Sequence, residues 1–198
     1  MNKKRFILGI DEAGRGCLAG PVFVASVLFD QKYSCQNIKD SKLLNPEKRE
    51  RAYSIIKEDA IWYQYYYLSN IVIDTIGISN SIYLLMRQLY YDVKNLFPQF
   101  DITTIIDGNI DPIKEENTFS LVKADRKILS VSAASIVAKV ERDRYMKNIS
   151  KYFSQYSFDE HKGYGTKKHI NEILNFGLST IHRKSFCLSK KAIEYARS

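Results

Sequence analysis

Cysteine is scarce in this sequence, and the cysteines lack the spacing of a disulfide framework or a zinc site. The three present, Cys17, Cys35 and Cys187, are far apart and form no Cys-x-x-Cys pair. Separate thiols in odd number are typical of a reducing compartment, so we expect reduced cysteines and a cytoplasmic location. We expect these thiols to be structural, with no part in any chemistry.

Long hydrophobic runs are also missing. The longest mostly apolar stretch, residues 17–29, contains Gly20 and Pro21 and is well short of the ~20 residues that a membrane-spanning helix requires. The basic residues near the start are not followed by the apolar core of a signal peptide, because the run behind them stops at Asp11 and Glu12. We therefore expect neither a membrane span nor an export signal.

No internal repeat, low-complexity tract or Pro/Gly/Ser-rich linker divides the chain. Its 198 residues are within the usual size of one domain, so residues 1–198 are predicted to form a single one. The 30 Lys and Arg against 22 Asp and Glu give a formal net charge of +8, which favours a polyanionic partner. His-Glu-x-x-His is absent and nothing indicates a Ser-His-Asp triad.

Alternation and periodicity predict an α/β order of elements. A buried hairpin opens the chain, an aromatic strand follows, and two short strands come after an amphipathic helix. The predicted strands are residues 6–10, 22–29, 62–68, 102–106 and 119–122. The predicted helices begin at Asn45-Pro46, near Ser79 or Asn80, at Lys127 (running to about Tyr152), after Thr166 (closing at Gly177) and at Ser189. This order indicates one mixed sheet covered by helices.

Acidic residues stand where several predicted strands end. Asp11 and Glu12 end the first strand, Asp107 ends a later one, and Asp125 follows the next. Such strand ends are where sites form in open α/β sheets. Converging carboxylates raise one another's pKa unless a cation neutralises them, and hard divalent ions prefer oxygen ligands. Singly, Asp107 reads as a turn residue and Asp125 as a helix N-terminal acid; together the four predict a metal site suited to phosphodiester hydrolysis.

Gly14-Arg15-Gly16 places an arginine between two glycines just after the first acids. The segment matches the dinucleotide pattern G-x-G-x-x-A, but a β-branched strand follows where that pattern requires a helix. A P-loop is excluded because Arg15-Gly16 stands in place of Lys-Ser/Thr. Glycines allow a ligand backbone to approach and a guanidinium grips phosphate or sugar oxygens. The segment is either a binding turn or an ordinary hairpin turn.

Other candidate binding residues are spread along the chain. Lys42 lies in a loop before a predicted helix start, where a lysine either holds phosphate or is simply solvated. Lys139 and Arg142 belong to a helix face that either tracks phosphates or is solvated with ion pairs. Tyr164, between two glycines, can present its ring to a sugar or a base.

In this order, the segments resemble the bacterial ribonuclease HII family, the type 2 ribonucleases H. The resemblance runs from about residue 6 to residue 186, and the Gly-Arg-Gly turn favours type HII over type HIII. It is carried by GIDEAGRG at 9–16, DSK at 40–42, IDGN at 106–109, AASIVAK with RDR at 133–139 and 142–144, KGYGT at 162–166 and HRKSF at 182–186. The chain departs from the family at Ala124, usually Gly, at Arg126, usually a small residue, and after Phe186, where the usual proline is missing.

For the fold, the resemblance implies an α/β ribonuclease H-like domain. Its mixed five-stranded sheet would be flanked by helices, and a C-terminal helical part, about residues 150–198, would complete the substrate groove. The four acids, Asp11, Glu12, Asp107 and Asp125, would bind Mg²⁺ or Mn²⁺, with two ions per site during catalysis.

For the substrate, the resemblance implies RNA–DNA hybrids and duplex DNA that contains single ribonucleotides. Gly14, Arg15 and Gly16 would read the ribose 2′-OH, and Tyr164 would stack on the sugar of the next deoxynucleotide. Hydrolysis would cut the RNA strand of hybrids and incise 5′ to single ribonucleotides, leaving 5′-phosphate and 3′-OH ends. A monomer is expected, acting in DNA replication and ribonucleotide repair, with any sliding-clamp partner left open.

Two other functions remain at this point. A metal-dependent, structure-specific DNA nuclease of the same fold would use the same acids but would leave Arg15 and Tyr164 no 2′-OH to read. A non-catalytic binder of hybrid duplex would use the basic surface alone, and would gain nothing from carboxylates facing phosphates. Dependence on divalent ions separates a nuclease from such a binder.

Overall fold

The computed structural model describes residues 4–38 and 44–186. These residues form two compact units. The first contains residues 4–13, 23–38, 44–67 and 82–140, and the second contains residues 14–22, 68–81 and 141–186. Lys42, Cys187 and the helix predicted at Ser189 lie outside the described residues.

The five predicted strands are all present and form one mixed sheet. They are β1 (Arg5–Ala13), β2 (Val22–Asp30), β3 (Trp62–Leu68), β4 (Asp101–Asp107) and β5 (Thr118–Leu121). The strand order is β3-β2-β1-β4-β5. β1 pairs antiparallel with β2 and parallel with β4, and β4 pairs parallel with β5. The predicted mixed five-stranded α/β architecture is therefore confirmed.

The first strand is longer than its apolar run predicts. Asp11 and Glu12 do not end β1 but lie within it, because the antiparallel ladder continues with Asp11 opposite Ala25 and Glu12 opposite Val24. The parallel pairing with β4 stops earlier, at Ile10 opposite Ile106. Asp11 is therefore the first residue of β1 beyond the shared ladder, level with the end of β4.

Helices connect and follow the strands. They are α1 (Pro46–Asp59), α2 (Asn70–Ile76), α3 (Ile78–Leu96), α4 (Leu129–Ile149), α5 (Phe158–His161) and α6 (Lys167–Phe176), with 3₁₀ turns at Ala124–Arg126 and Ser150–Tyr152. The predicted caps are confirmed, since the side chain of Asn45 accepts from Lys48 N and that of Thr166 from His169 N. The short helices α2 and α5 were missed, because neither is long enough to show a helical period. No helix in the described part of the chain is long and apolar enough to cross a membrane.

Helix α4 packs directly against β1 at Gly9. A Cβ built on Gly9 would lie 2.1 Å from Ser130 C and 2.3 Å from Val131 N, which are backbone atoms of the helix. No side chain larger than hydrogen fits between the two backbones. Gly9 thus fixes how closely α4 approaches the strand that carries Asp11.

The second unit has an aromatic and histidine-rich core. Phe158 and Tyr156 stack with ring centroids 5.1 Å apart, and the wholly buried His169 and His182 lie against these two rings. Burial is the main cause that lowers the pKa of both histidines to about 4. They are therefore uncharged in the folded protein at neutral pH.

Acid should destabilise the protein through these histidines. In the unfolded chain each imidazole takes up a proton below pH ~6.5, whereas the folded protein resists protonation until about pH 4. The unfolded state binds more protons between these values, so stability is complete above pH ~6.5 and is lost as the pH falls toward 4. We expect a loss of about 3 kcal/mol per histidine across this window.

Urea unfolding between pH ~7.5 and ~5 should show about 2 kcal/mol of this loss per histidine, and most carboxylates titrate only at lower pH. His161 is the third histidine of the sequence, and burial also lowers its pKa. It therefore changes stability in the same direction as His169 and His182. A free energy of unfolding that stays constant over this range would contradict the prediction.

Candidate active site

Three carboxylates converge in the first unit. Oxygen atoms of Asp11, Asp107 and Asp125 all lie within 4.8 Å of one another. Asp11 comes from β1, Asp107 is the last residue of the parallel neighbour β4, and Asp125 lies in the 3₁₀ turn after β5. The sequence predicted this convergence from the positions of the acids, and the parallel register produces it.

Within the cluster, the carboxylate of Asp11 has a raised pKa. Its pKa is raised well above the usual value, first by burial and then by the charges of Glu12 and Asp107. A hydrogen bond from Ser135 and one from Glu12 N, 2.7 Å from Oδ1, oppose this shift by stabilising the charged form. A cation beside the cluster would relieve the remaining repulsion.

Hydrogen bonds hold the carboxylate of Asp107 and the backbone of Asp125 in place. Ala124 N donates to Asp107 Oδ1 at 2.7 Å, which links the end of β4 to the 3₁₀ turn. Ser132 Oγ, on α4, donates to the backbone carbonyl of Asp125 at 2.6 Å. Ala124 is wholly buried and its methyl group is accommodated there. The family departure at this position therefore leaves Asp125 next to Asp107.

Glu12 is not a member of this cluster of carboxylate oxygens in the described part of the chain. Successive side chains of a strand point to opposite faces, so the neighbour of Asp11 on β1 is directed differently. Its half-buried carboxylate still raises the pKa of Asp11. Its predicted role as a metal ligand stays a prediction.

The donor set of the cluster fits a hard divalent cation. Asp11 and Asp125 are buried and Asp107 is half-buried, so the cluster offers concentrated negative charge with little solvent to screen it. Carboxylate oxygens without nitrogen or sulfur ligands suit Mg²⁺ or Mn²⁺ better than zinc or copper. These three residues could therefore hold a divalent metal ion.

In the second unit, residues 14–17 form a tight turn. Cys17 N donates to Gly14 O at 3.3 Å. Gly14 has φ +91°, and a Cβ there would lie 2.1 Å from the Nε of Arg142, so both the backbone conformation and the space require glycine. The turn leaves Arg15 and Gly16 exposed. Arg183 Nη1 donates to the backbone carbonyl of Arg15 at 3.0 Å and so helps to fix the conformation of the turn.

Tyr164 lies in a second loop of the same unit. Its ring is partly exposed, and the guanidinium of Arg142 lies 5.4 Å from the ring centroid. Burial and the neighbouring Cys17 raise the pKa of Tyr164 to about 12. The phenol is therefore uncharged at neutral pH.

Arg142 differs from its sequence-based interpretation as a member of a phosphate-tracking or solvated helix face. The residue is wholly buried, and its Nε, Nη1 and Nη2 donate to the carbonyls of Pro21, Lys162 and Ala19 at 3.0, 2.9 and 3.2 Å. A guanidinium satisfied by three carbonyls is a brace between loops, not a group available to phosphate. Lys139 is half-buried on the same helix, and its proposed phosphate contact stays a prediction.

Sequence reasoning missed Ser135 and Arg183. Ser135 contacts Asp11, and its signal was present as the serine pair Ser132 and Ser135, one helical turn apart among alanines. Arg183 stands among Lys and Arg residues of a basic C-terminal segment, yet it is 1% exposed. No sequence pattern distinguishes a buried arginine from a surface one when its partners are carbonyls distant in the chain.

A mixed five-stranded sheet with a carboxylate cluster at the end of its central parallel strands defines a nuclease of the ribonuclease H-like fold. The chain belongs to the ribonuclease HII family, since the family model for Ribonuclease HII matches residues 8–189. As a member of this family, it is an endoribonuclease, a hydrolase acting on the RNA of RNA–DNA hybrids.

Known relatives agree in sequence and in fold. Ribonuclease HII of Caldicellulosiruptor saccharolyticus is 44% identical over 182 residues, covering 92% of this chain and 87% of the relative. The structure of ribonuclease H2 from Pyrococcus horikoshii OT3 matches with a TM-score of 0.71 at 25% identity, covering 97% of this chain and 99% of the other. RNase HII of Archaeoglobus fulgidus, solved in complex with PCNA, matches with a TM-score of 0.73 at 25% identity, covering 96% and 99%.

Proposed function

We propose that this endoribonuclease, besides cutting the RNA strand of hybrids, incises 5′ to single ribonucleotides embedded in duplex DNA. The products would carry 5′-phosphate and 3′-OH ends. The observation that supports this chemistry is the convergence of the Asp11, Asp107 and Asp125 carboxylates within 4.8 Å. A phosphodiester needs charge neutralisation and positioning more than a protein nucleophile, and the cluster is suited to both.

These three residues would hold Mg²⁺ or Mn²⁺, with Glu12 as the fourth acid and two ions during catalysis. Such ions activate water and stabilise the attacking and leaving oxygens of the phosphodiester. Hydrogen bonds orient two of the carboxylates: Ala124 N donates to Asp107, and Ser135 donates to Asp11. Because these donors belong to rigid elements, the ligands need little rearrangement when a cation arrives.

Arg15 and Tyr164 would read the junction between RNA and DNA. Arg15 is exposed at the top of its turn, and a Cβ on Gly16 would have no atom within 4 Å, so a nucleic acid backbone has room to approach there. A 2′-OH both donates and accepts, and it is the group by which a protein distinguishes RNA from DNA. The partly exposed ring of Tyr164 offers a flat apolar face to the neighbouring deoxyribose.

A labelled DNA duplex with one ribonucleotide tests the proposal, alongside an all-DNA duplex and a continuous RNA–DNA hybrid. With Mg²⁺ or Mn²⁺ we expect a nick 5′ to the ribonucleotide, cleavage of the hybrid, an intact DNA duplex, and no reaction in EDTA. Cleavage of the hybrid without the nick would overturn the proposed specificity. Cleavage of the all-DNA duplex would instead favour a structure-specific DNA nuclease.

Arg15→Ala should reduce cleavage at the isolated ribonucleotide at least about tenfold in kcat/KM, because a charge-assisted hydrogen bond to the substrate is lost. A continuous hybrid offers many alternative registers and should lose less. Arg5→Ala is the matched control, since Arg5 pairs with Asp101 at the other end of the parallel strands. Equal activity of Arg15→Ala and Arg5→Ala on the single-ribonucleotide duplex would remove Arg15 from its proposed role.

Five further expectations about the protein remain proposals. We propose a monomer in the cytoplasm that acts as one domain over residues 1–198. Neither Cys17 nor Cys35 forms a disulfide in the described residues, as is expected in a reducing compartment. The Archaeoglobus fulgidus relative was solved with PCNA, so a sliding clamp is the partner that we propose to test by co-purification. Lys42 remains a proposed substrate contact.

A further inference from the structure

The second unit contains a buried histidine cluster that none of the proposed substrate contacts uses. His161 and His169 stack with ring centroids 4.0 Å apart, and Nε2 of His169 lies 3.1 Å from Nε2 of His182. All three side chains are buried. Two nitrogens at hydrogen-bond distance require that one donates and the other accepts.

Backbone groups determine which nitrogen of each ring carries the proton. Ser179 N donates to His182 Nδ1 at 2.8 Å, so the proton of neutral His182 sits on Nε2 and is donated to His169 Nε2. His169 Nε2 is thus an acceptor, and its Nδ1–H donates to the carbonyl of Tyr164 at 2.9 Å. The hydrogen bonds therefore run in one direction, from Ser179 through His182 and His169 to Tyr164.

His161 supports the same loop from the other side of the stack. Gly163 N donates to His161 Nδ1 at 3.1 Å, so His161 Nε2–H donates to Glu172 Oε2 at 2.9 Å. Two backbone groups of the loop are therefore bonded to imidazole rings: the Gly163 N–H to His161 and the Tyr164 carbonyl to His169. The Tyr164 carbonyl also accepts from Thr166 N at 2.8 Å, within its own loop.

The surroundings keep the chain of hydrogen bonds uncharged. The groups that act electrostatically on it from outside are His161 and Glu172, and around His161 also Glu160 and Lys168. Tyr156 and Phe158 cover the rings of His169 and His182. A proton added to His169 Nε2 would face the Nε2–H of His182. A proton added to His182 Nδ1 would break the bond from Ser179 N and leave Ser179 Oγ, 2.7 Å from that nitrogen, as its acceptor. Burial lowers the pKa of both rings to about 4, in agreement with this geometry.

We propose that His169 and His182 are positioning residues for Tyr164, acting as a directional, uncharged hydrogen-bond relay that fixes the backbone from which the ring projects. This inference rests on the proposed function, because that function assigns Tyr164 its role as a substrate contact. The guanidinium of Arg142 lies beside the ring itself. The relay fixes the position of the Tyr164 backbone, and Arg142 restricts the rotation of the Tyr164 side chain.

Two substitutions of similar size separate positioning from packing. In His169→Asn the amide nitrogen takes the place of Nδ1 and can still donate to the Tyr164 carbonyl. In His169→Gln the amide takes the place of Nε2, keeping the contact with His182 but leaving the carbonyl without this donor. On the single-ribonucleotide duplex we expect kcat/KM to fall about tenfold in His169→Gln and by less than about threefold in His169→Asn. Asn175→Ala, at an exposed position of α6, is the control.

A double-mutant cycle provides a readout that a merely structural role would not give. Once Tyr164→Ala has removed the ring, adding His169→Gln should lower kcat/KM by less than about twofold, because nothing remains to be positioned. Additive losses, or equal losses in the Asn and Gln variants, would overturn the proposal. If wild-type protein cuts hybrids but makes no nick at the single ribonucleotide, the proposed specificity fails instead.

Nitrogen NMR of labelled histidine tests the relay without any activity measurement. We expect His169 as the Nδ1–H tautomer and His182 as the Nε2–H tautomer from neutral pH down to about pH 5, and His161 as the Nε2–H tautomer at neutral pH. His169→Asn should leave the His161 signal unchanged. A cationic His169 at neutral pH, or an Nε2–H tautomer for this residue, would overturn the relay whatever the enzyme cuts.

Discussion

Asp107→Asn should abolish hydrolysis while leaving the protein folded. We expect kcat to fall roughly 10³-fold or more, because the cluster loses a charge needed to hold the cation that stabilises the transition state. The asparagine oxygen can still accept from Ala124 N, the hydrogen bond that Asp107 Oδ1 makes at 2.7 Å. One of the two charges that raise the pKa of Asp11 also disappears, so the melting temperature should not fall.

The matched control lies on the same strand. Asp101 begins β4 and Asp107 ends it, and Asp101 is paired with Arg5 at 3.7 Å, away from the carboxylate cluster. Asp101→Asn should therefore keep wild-type cleavage within about twofold. A thermal-shift titration with Mn²⁺ adds a readout other than activity: wild type and Asp101→Asn should be stabilised by the metal, and Asp107→Asn much less. Full cleavage activity in Asp107→Asn would remove the cluster from the mechanism.

Gly9→Ala should strongly destabilise the protein, because the added methyl group meets the backbone of α4. The new Cβ would lie 2.1 Å from Ser130 C and 2.4 Å from Ser130 O, and neither backbone atom can rotate away. Helix α4 must shift off β1, at a cost of about 3 kcal/mol. That is a large part of the 5–15 kcal/mol by which domains are typically stable. Urea unfolding measures it as a lower midpoint with an unchanged slope.

Gly16→Ala is the control for this effect of added volume. A Cβ on Gly16 has no atom within 4 Å, so its free energy of unfolding should change by less than about 1 kcal/mol. Its cleavage activity is a separate question, because Gly16 is a proposed substrate contact. Equal midpoints for Gly9→Ala and Gly16→Ala would mean that α4 does not press on β1 at this point.

Local sequence features were enough to predict the strands and several helix boundaries. The aromatic segment Trp62–Leu68 is the strand β3 with the predicted bounds, and Asn45 and Thr166 cap the helices predicted to follow them. In each case the determining interactions lie within a few residues of one another. Propensity, capping and alternation are short-range properties, so the sequence displays them directly.

The candidate site could be predicted only in part. The acids Asp11, Asp107 and Asp125 were found because strand ends in parallel sheets share one edge. The sequence did not show that β1 continues through Asp11 and Glu12, because that extension depends on pairing with Ala25 and Val24 of another strand. For the same reason it did not separate Glu12 from the carboxylate cluster.

The sequence by itself determined the family, the order of the elements and the acids that approach one another. Only the tertiary structure decided the roles of the buried polar residues. Arg142 and Arg183 look like surface cations in the sequence, yet both are buried and bonded to carbonyls. The three histidines form no His-Glu-x-x-His pattern, yet His169 and His182 hydrogen-bond to each other, and His161 and His169 hydrogen-bond to the loop of Tyr164. The partners of a buried polar group are distant in the chain, so no local pattern can reveal them.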